Sequence, residues 1–222
     1  MNLSKSLEEN YNHIKTDFVD CSDFLIRKAK TGNREFLIMV CDGLIDSLQL
    51  SQMVVSPILR CDEIDIDTIK KSITNSVELN EAETFADCYY YVMSGFAVVL
   101  VDGEDKALAF GVQSPPARSV DVPSNEQSTK APKEAFVEVL NTNKALLRKR
   151  LKTPHLKLKQ IKLASSAPMP CVIAYMDDRA DKELVSQITL ALQSSNLNTL
   201  TDFGTLVPFI DTNMNSMFSD VS

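Results

Sequence analysis

The chain has 222 residues, of which 44% are hydrophobic and 24% charged, the mix of a folded globular protein rather than of a disordered one. A formal net charge of −7 argues against bulk nucleic-acid binding. Five cysteines, odd in number and without a C-x-x-C pair, together with only two histidines, support neither a disulfide framework nor a zinc site, and read as reduced thiols.

In chain order, Leu3–Thr16 reads as a weak, peripheral helix. The apolar runs Asp23–Lys30 and Glu35–Cys41 flank the turn residues Thr31-Gly32-Asn33-Arg34 and predict a β-hairpin. Asp46 is placed to cap a helix over Ser47–Val55 that ends before Pro57. Asp65 and Asp67 precede a short helix at Thr68–Ile73, and Glu81–Met93 predicts a stronger one, stopped by Ser94-Gly95. Phe96–Val101 and Lys106–Val112 enclose Asp102-Gly103-Glu104-Asp105 and predict a second hairpin. A prolyl segment from Ser114 to Pro132 then reads as a linker.

After it, Lys133–Leu151 predicts a helix with Phe136, Val139, Leu140, Leu147 and Leu151 on one stripe, ended by Thr153-Pro154. Leu156–Leu163 alternates apolar residues with lysines, as an exposed or edge strand does. Pro170–Met176 reads as a buried strand, Asp181–Gln193 as an amphipathic helix, and Leu197–Leu200 as a short strand. The expected fold is α/β: two small subdomains, 1–115 and 133–222, each a mixed β-sheet packed with helices and joined by the linker 116–132. Charge supports a division. Residues 1–115 hold ten Lys and Arg against nineteen Asp and Glu, whereas residues 130–162 hold ten basic residues against Glu134 and Glu138 alone. The longest apolar runs are far below the roughly 20 residues that cross a bilayer, so the chain is expected to be soluble.

No catalytic constellation emerges, and the expectation is a protein that is not an enzyme and carries no cofactor or metal. The six glycines form neither a phosphate loop nor a dinucleotide fingerprint. Asp42-Gly43 and Asp102-Gly103 read as turn chemistry. The carboxylate pairs Asp62-Glu63, Asp65/Asp67 and Asp177-Asp178 read as solvated acids, because catalytic pairing needs opposed carboxylates in a dry cleft. His13 and His155 each stand alone in the sequence. The sharpest candidate is the basic helix end Arg148-Lys149-Arg150 with Lys152. It can answer the helix dipole, or dock against an acidic partner surface or an anionic membrane face. Asn143 is the second, an amide on the apolar stripe that needs partners, with the linker backbone as the expected one.

The segment Arg118-Ser119-Val120-Asp121-Val122-Pro123, with Glu126 and Ala131-Pro132-Lys133-Glu134-Ala135-Phe136-Val137-Glu138, resembles R-S-x-x-E-P-x-x-E…G-P-x-x-G-F-x-E of the A subunits of bacterial spore nutrient germinant receptors. Asn143, Leu147-Arg148-Lys149-Arg150-Leu151 and Pro154-x-Leu156-Lys157 are similar to the family's N-x-x-L-[IL]-R-R-R-[IL]-x-x-P-x-L-K. Cys171-Val172-Ile173-Ala174-Tyr175 resembles its V-A-I-x-Y segment, and Ser94-Gly95 through Asp102-Gly103 its L-S-G-x-x-x-L-x-x-D-G. Ala131 and Ala135 stand where the family has glycines, and Val122 where it has Glu.

The resemblance implies the hydrophilic N-terminal domain of a non-enzymatic receptor subunit, anchored in the spore inner membrane by a C-terminal part missing here. The domain would face the spore interior and work with B and C subunits, and possible partners extend to other A subunits. On this view Arg118, Asn143, Arg148, Lys149, Arg150 and Lys152 belong to an interaction surface serving assembly and signal transmission. The alternative is a nutrient-binding module whose two lobes close on a small molecule.

Overall fold

The computed structural model of the chain describes residues 1–32, 34–73, 78–114, 136–163 and 170–194. Its contacts divide it into two compact units, Met1–Val19 with Asp23–Pro154, and Asp20–Ser22 with His155–Ser222.

The first unit is built on a five-stranded sheet in the order β1-β2-β4-β5-β3. β1 (Phe24–Thr31) and β2 (Arg34–Cys41) form the expected first hairpin, with Phe24 opposite Cys41 and Thr31 opposite Arg34. At its tip Gly32 has φ 56°, and an added Cβ would lie 2.3 Å from the Asp62 carbonyl oxygen, so only glycine fits. β4 (Phe96–Val101) and β5 (Ala107–Gly111) form the second hairpin, and β3 (Leu79–Ala82) pairs with β5 at the sheet edge. The α/β class holds, with antiparallel pairing between all the named strands.

All six residues of β4 are buried, because helices cover both faces of the sheet. On one face Ala97, Val99 and Val101 join Val54, Ile58 and Ile69 in the main core. The other face meets α5 (Phe85–Val92) and α1 (Leu7–Asp17). The helix expected to be peripheral is α1, yet Leu7 and Ile14 are buried. The loop after β4 anchors it, since Asp102 Oδ1 accepts from the Leu7 N–H at 3.1 Å and the Gly103 N–H donates to the Lys5 carbonyl at 2.8 Å.

Two helices depart from expectation for identifiable reasons. The run capped by Asp46 comprises α2 (Ser47–Gln49), a π-helical segment (Leu50–Val55) and α3 (Ser56–Leu59), so it passes through Pro57. A proline in a helix clashes with the carbonyl four residues back, and the wider π spacing just before it relieves that constraint. α4 (Ile66–Ile73) follows, with the Asp65 carboxylate accepting from the Thr68 N–H at 2.6 Å. α5 starts at Phe85, not Glu81, because Thr84 and Asp87 close a reciprocal capping box and Glu81 and Ala82 are drawn into β3.

The helix after the prolines is shorter than predicted and belongs to the first unit, whereas the sequence reading opens a second subdomain at 133. α6 spans Leu140–Arg150, and its buried residues are Lys144, Ala145 and Arg148. Phe136 and Val139 of the expected apolar stripe, which precede the helix, are 67% and 60% exposed, and Leu151 just after it is 42% exposed. Arg148 is held inward by a counter-charge, as described below, and this turns the helix. Gly43 permits the close approach of α6. At φ 79° an added Cβ would lie 3.2 Å from both the Ala145 Cβ and the Asn141 carbonyl oxygen.

In the second unit β6 (Leu156–Lys162) and β7 (Pro170–Met176) pair, and α7 (Lys182–Ser194) closes a small core of Ile161, Leu163 and Leu192. β6, expected as an exposed or edge strand, lies at the edge of a two-stranded sheet, yet its Leu156 and Leu158 are buried. Asp20–Ser22 supplies the cover. Cys21 bridges Leu158 in parallel, the Leu158 N–H donates to the Asp20 carbonyl at 3.0 Å, and the Ser22 N–H to the Leu158 carbonyl at 3.1 Å. The expected linker 116–132 and strand Leu197–Leu200 lie outside the described residues.

Gly43→Ala is expected to lower stability by about 1–3 kcal/mol, since it combines a left-handed backbone with a close neighbour. Gly103→Ala, with φ 87° and nothing within 4 Å of the added Cβ, is expected to cost less. Urea midpoints of the two variants against the parent chain measure the difference.

Candidate functional site

The basic segment singled out in the sequence is split by the fold into three environments. Arg148 is internal, with its side chain 1% exposed. Its Nε donates to Asp23 Oδ2 at 2.7 Å, its Nη2 to Asp23 Oδ1 at 3.0 Å, and its Nη1 to the Thr153 carbonyl oxygen at 2.7 Å. The fork geometry of guanidinium and carboxylate is matched on both oxygens. The Cys41 thiol donates to the same Asp23 Oδ2 at 3.3 Å. Arg148 therefore serves the interior of the first unit and is not available as part of a docking surface.

Lys149 and Arg150 are exposed. Arg150 borders an open apolar depression with Phe136, Leu146 and Leu147. Lys149 faces elsewhere. With Lys152 it lines a recess that also includes Ser94 and Gln113. The Lys152 Nζ donates to Ser94 Oγ at 3.0 Å and lies 5.3 Å from the centre of the Tyr90 ring.

Asn143 finds a backbone partner, Val137, rather than one in the linker 116–132. Its Oδ1 accepts from the Val137 N–H at 2.8 Å and its Nδ2 donates to the Val137 carbonyl at 2.7 Å. This pair of hydrogen bonds to the preceding segment satisfies the amide and fits Phe136–Val139 being non-helical. Arg118 lies outside the described residues.

A cluster that the sequence did not connect lies in the second unit. His155, Asp177 and Asp178 bring candidate ligand atoms within 4.8 Å of one another. His155 Nδ1 and Asp177 Oδ1 are 2.8 Å apart, and the Lys157 ammonium lies 3.1 Å from Asp177 Oδ2. Burial alone would raise the Asp177 pKa, but the hydrogen bonds from His155 and Lys157 outweigh it and hold the carboxyl below its usual range. The cation opposite Asp177 is thus already a lysine, which competes with a metal ion for the same oxygens. The acids at Asp65 and Asp102 are likewise occupied, as caps for backbone N–H groups.

The five cysteines form no disulfide, and two are strongly deactivated. Burial, reinforced by the Asp23 charge, pushes the Cys41 thiol far up, and burial with Asp87 nearby pushes Cys88 to about 12. A thiol so protonated is a weak nucleophile.

Comparison with known proteins places this geometry. A family model described as "Bacillus/Clostridium GerA spore germination protein" matches residues 12–222. The chain belongs to the GerA spore germination protein family. Spore germination protein B1 of Bacillus subtilis (strain 168) is 29% identical over 230 residues, covering 100% of this chain and 47% of that protein. Spore germination protein A1 of the same organism is 27% identical over 202 residues, covering 90% and 42% respectively. The chain thus spans about half the length of the curated relatives it matches. The crystal structure of the N-terminal domain of the A subunit of the Bacillus megaterium spore germinant receptor GerK3 superposes with a TM-score of 0.68 at 25% identity. It covers 89% of this chain and 74% of that one. No helix among the described residues is long and apolar enough to cross a membrane.

Removing either partner of the buried ion pair leaves an uncompensated charge in the interior. Asp23→Ala or Arg148→Ala is expected to cost about 3–5 kcal/mol, with the double variant well short of the sum, as read from urea unfolding of the four proteins. At pH 8 Ellman's reagent is expected to modify Cys41 and Cys88 only slowly in the native chain, and at the rate of an ordinary thiol once it is unfolded. Mass mapping of the modified sites checks this.

Proposed function

We propose that this chain is the hydrophilic N-terminal domain of a germinant receptor A subunit and acts in nutrient-triggered spore germination through receptor assembly and signal transmission. Its partners on this reading are the B and C subunits. The parent protein sits in the spore inner membrane through a segment beyond this chain, and this domain faces the spore interior. The observation that carries the reading is the family match over residues 12–222 together with the likeness to the A-subunit domain of GerK3.

The surface best suited to assembly is the open apolar depression formed by α6 and the segment that precedes it. Phe136 is a large apolar residue largely in water, and it borders this depression together with Leu146, Leu147 and Arg150. Aromatic and arginine side chains are the residues that most often dominate protein–protein interfaces. Arg148, being internal, is the wrong residue for testing this surface.

The combined variant Phe136→Ser, Arg150→Glu in the full-length receptor is expected to reduce recovery of the other subunits with it and to slow nutrient germination several-fold. Stability of the isolated domain should change by no more than about 0.5 kcal/mol, the usual range for surface substitutions. Normal subunit recovery and normal germination kinetics, at normal receptor levels, would refute the proposed surface.

A further inference from the structure

We propose that the recess carrying Lys149 and Lys152 in the first unit is a binding site for a small carboxylate with an apolar tail. The recess has a volume of about 360 Å³, within the range of small-molecule sites. Leu44 and Met93 give it an apolar side. Around that side stand Lys149, Lys152, Ser94, Ser114 and Gln113, and no carboxylate is among its described lining residues. Lys149 and Lys152 are therefore positive groups gathered at one concave place with no acidic side chain among its described lining residues, in a chain whose overall charge is −7.

The backbone that carries these groups is held by several independent bonds. Ile45 bridges Gln113, the Asp46 N–H donates to the Val112 carbonyl at 2.8 Å, and the Ser114 N–H donates to the Leu44 carbonyl at 2.9 Å. Gly95 lets the turn after α5 press against this bridge. Its φ is 87°, and an added Cβ would meet the Leu44 carbonyl oxygen at 2.8 Å and the Gln113 side chain at 3.0 Å. Lys152 is oriented by Ser94 Oγ and by the Tyr90 ring. Binding therefore requires little new ordering on this side, which favours affinity.

The ligand class follows from the lining. Two point-charge ammonium groups with hydroxyl and amide donors suit a carboxylate head, and the apolar side has no use for a fully hydrated anion such as phosphate. The recess lies within one unit and does not use the apolar depression proposed for assembly, so it stands or falls independently of that reading.

The test is a titration of the ¹⁵N-labelled 222-residue chain with hexanoate, hexanamide and inorganic phosphate, followed by amide shifts in two-dimensional NMR. Hexanoate is expected to shift the amides of Ser94, Gly95, Gln113 and Ser114 saturably, and more weakly at high salt. Hexanamide and phosphate should leave them in place. Lys149→Gln and Lys152→Gln should each weaken hexanoate binding about tenfold, as loss of one charge-assisted hydrogen bond does. Both are exposed positions where folding is expected to survive, and the unshifted part of each spectrum reports that directly. The proposal is overturned by no saturable shift with hexanoate, by equal shifts with hexanamide, by phosphate binding more tightly at the same amides, or by undiminished affinity in both variants.

Discussion

Taking a carboxylate and a guanidinium out of water costs several kcal/mol apiece even after relaxation, so a pair buried to 1% exposure persists only if its geometry returns most of that cost. The Asp23–Arg148 pair meets the condition. Both carboxylate oxygens accept from the guanidinium, the third guanidinium nitrogen reaches the Thr153 carbonyl, and the Cys41 thiol adds a donor to Asp23 Oδ2. The placement of α6 depends on this contact more than on apolar burial. The buried side of the helix offers Lys144, Ala145 and Arg148, and of these Ala145 alone is apolar, resting against the glycine turn at Gly43. A helix with so little hydrophobic surface to hide would otherwise have small reason to lie where it does.

The same contact decides what is left for partners. Since the first arginine of the basic tract turns inward, the basic residues after it fall at two different surface sites. Arg150 then falls at the open apolar depression, and Lys149 falls with Lys152 at a concave place of different chemistry. A tract that reads in sequence as one cationic tip is in three dimensions a structural arginine between two surfaces. Arginine and lysine are not equivalent in this division. The fork of Arg148 can saturate a buried carboxylate, whereas compact, strongly hydrated ammonium groups stay at the surface.

What could be read from the chain follows the same physics. The two hairpins were legible because alternation, turn glycines and strand length agree locally, and the β4 run Phe96–Val101 announces a strand covered on both faces. The resemblance to germinant receptor A subunits was legible from motif spacing. The start of α5 was also written locally, in Thr84-x-x-Asp87, but helix periodicity through Glu81 and Ala82 concealed it until their pairing with β5 was seen. The orientation of α6 was not legible. Its apolar stripe is real, but the decisive partner is Asp23, 125 residues away, and no window of sequence contains both. Burial of Leu156 and Leu158 was hidden for a similar reason, since their cover comes from Asp20–Ser22.

Those three residues also show why the ion pair matters beyond one helix. The chain passes between its two compact units after Val19, after Ser22 and after Pro154. Asp23 is the first residue of the first unit after the second passage, and Thr153 lies one residue from the end of that unit before the third. Arg148 bonds both, one through its side chain and the other through its carbonyl oxygen. A single guanidinium thus fixes, within the first unit, the backbone adjoining two of the three covalent connections to the second. Loss of the guanidinium would remove one bond from each of these segments, while the Asp23 carbonyl would still accept from the Asp42 N–H at 2.6 Å. A buried charge pair suits this task better than apolar contact, because the geometry that satisfies three nitrogens and two carboxylate oxygens at once is one arrangement, whereas hydrophobic surfaces tolerate many.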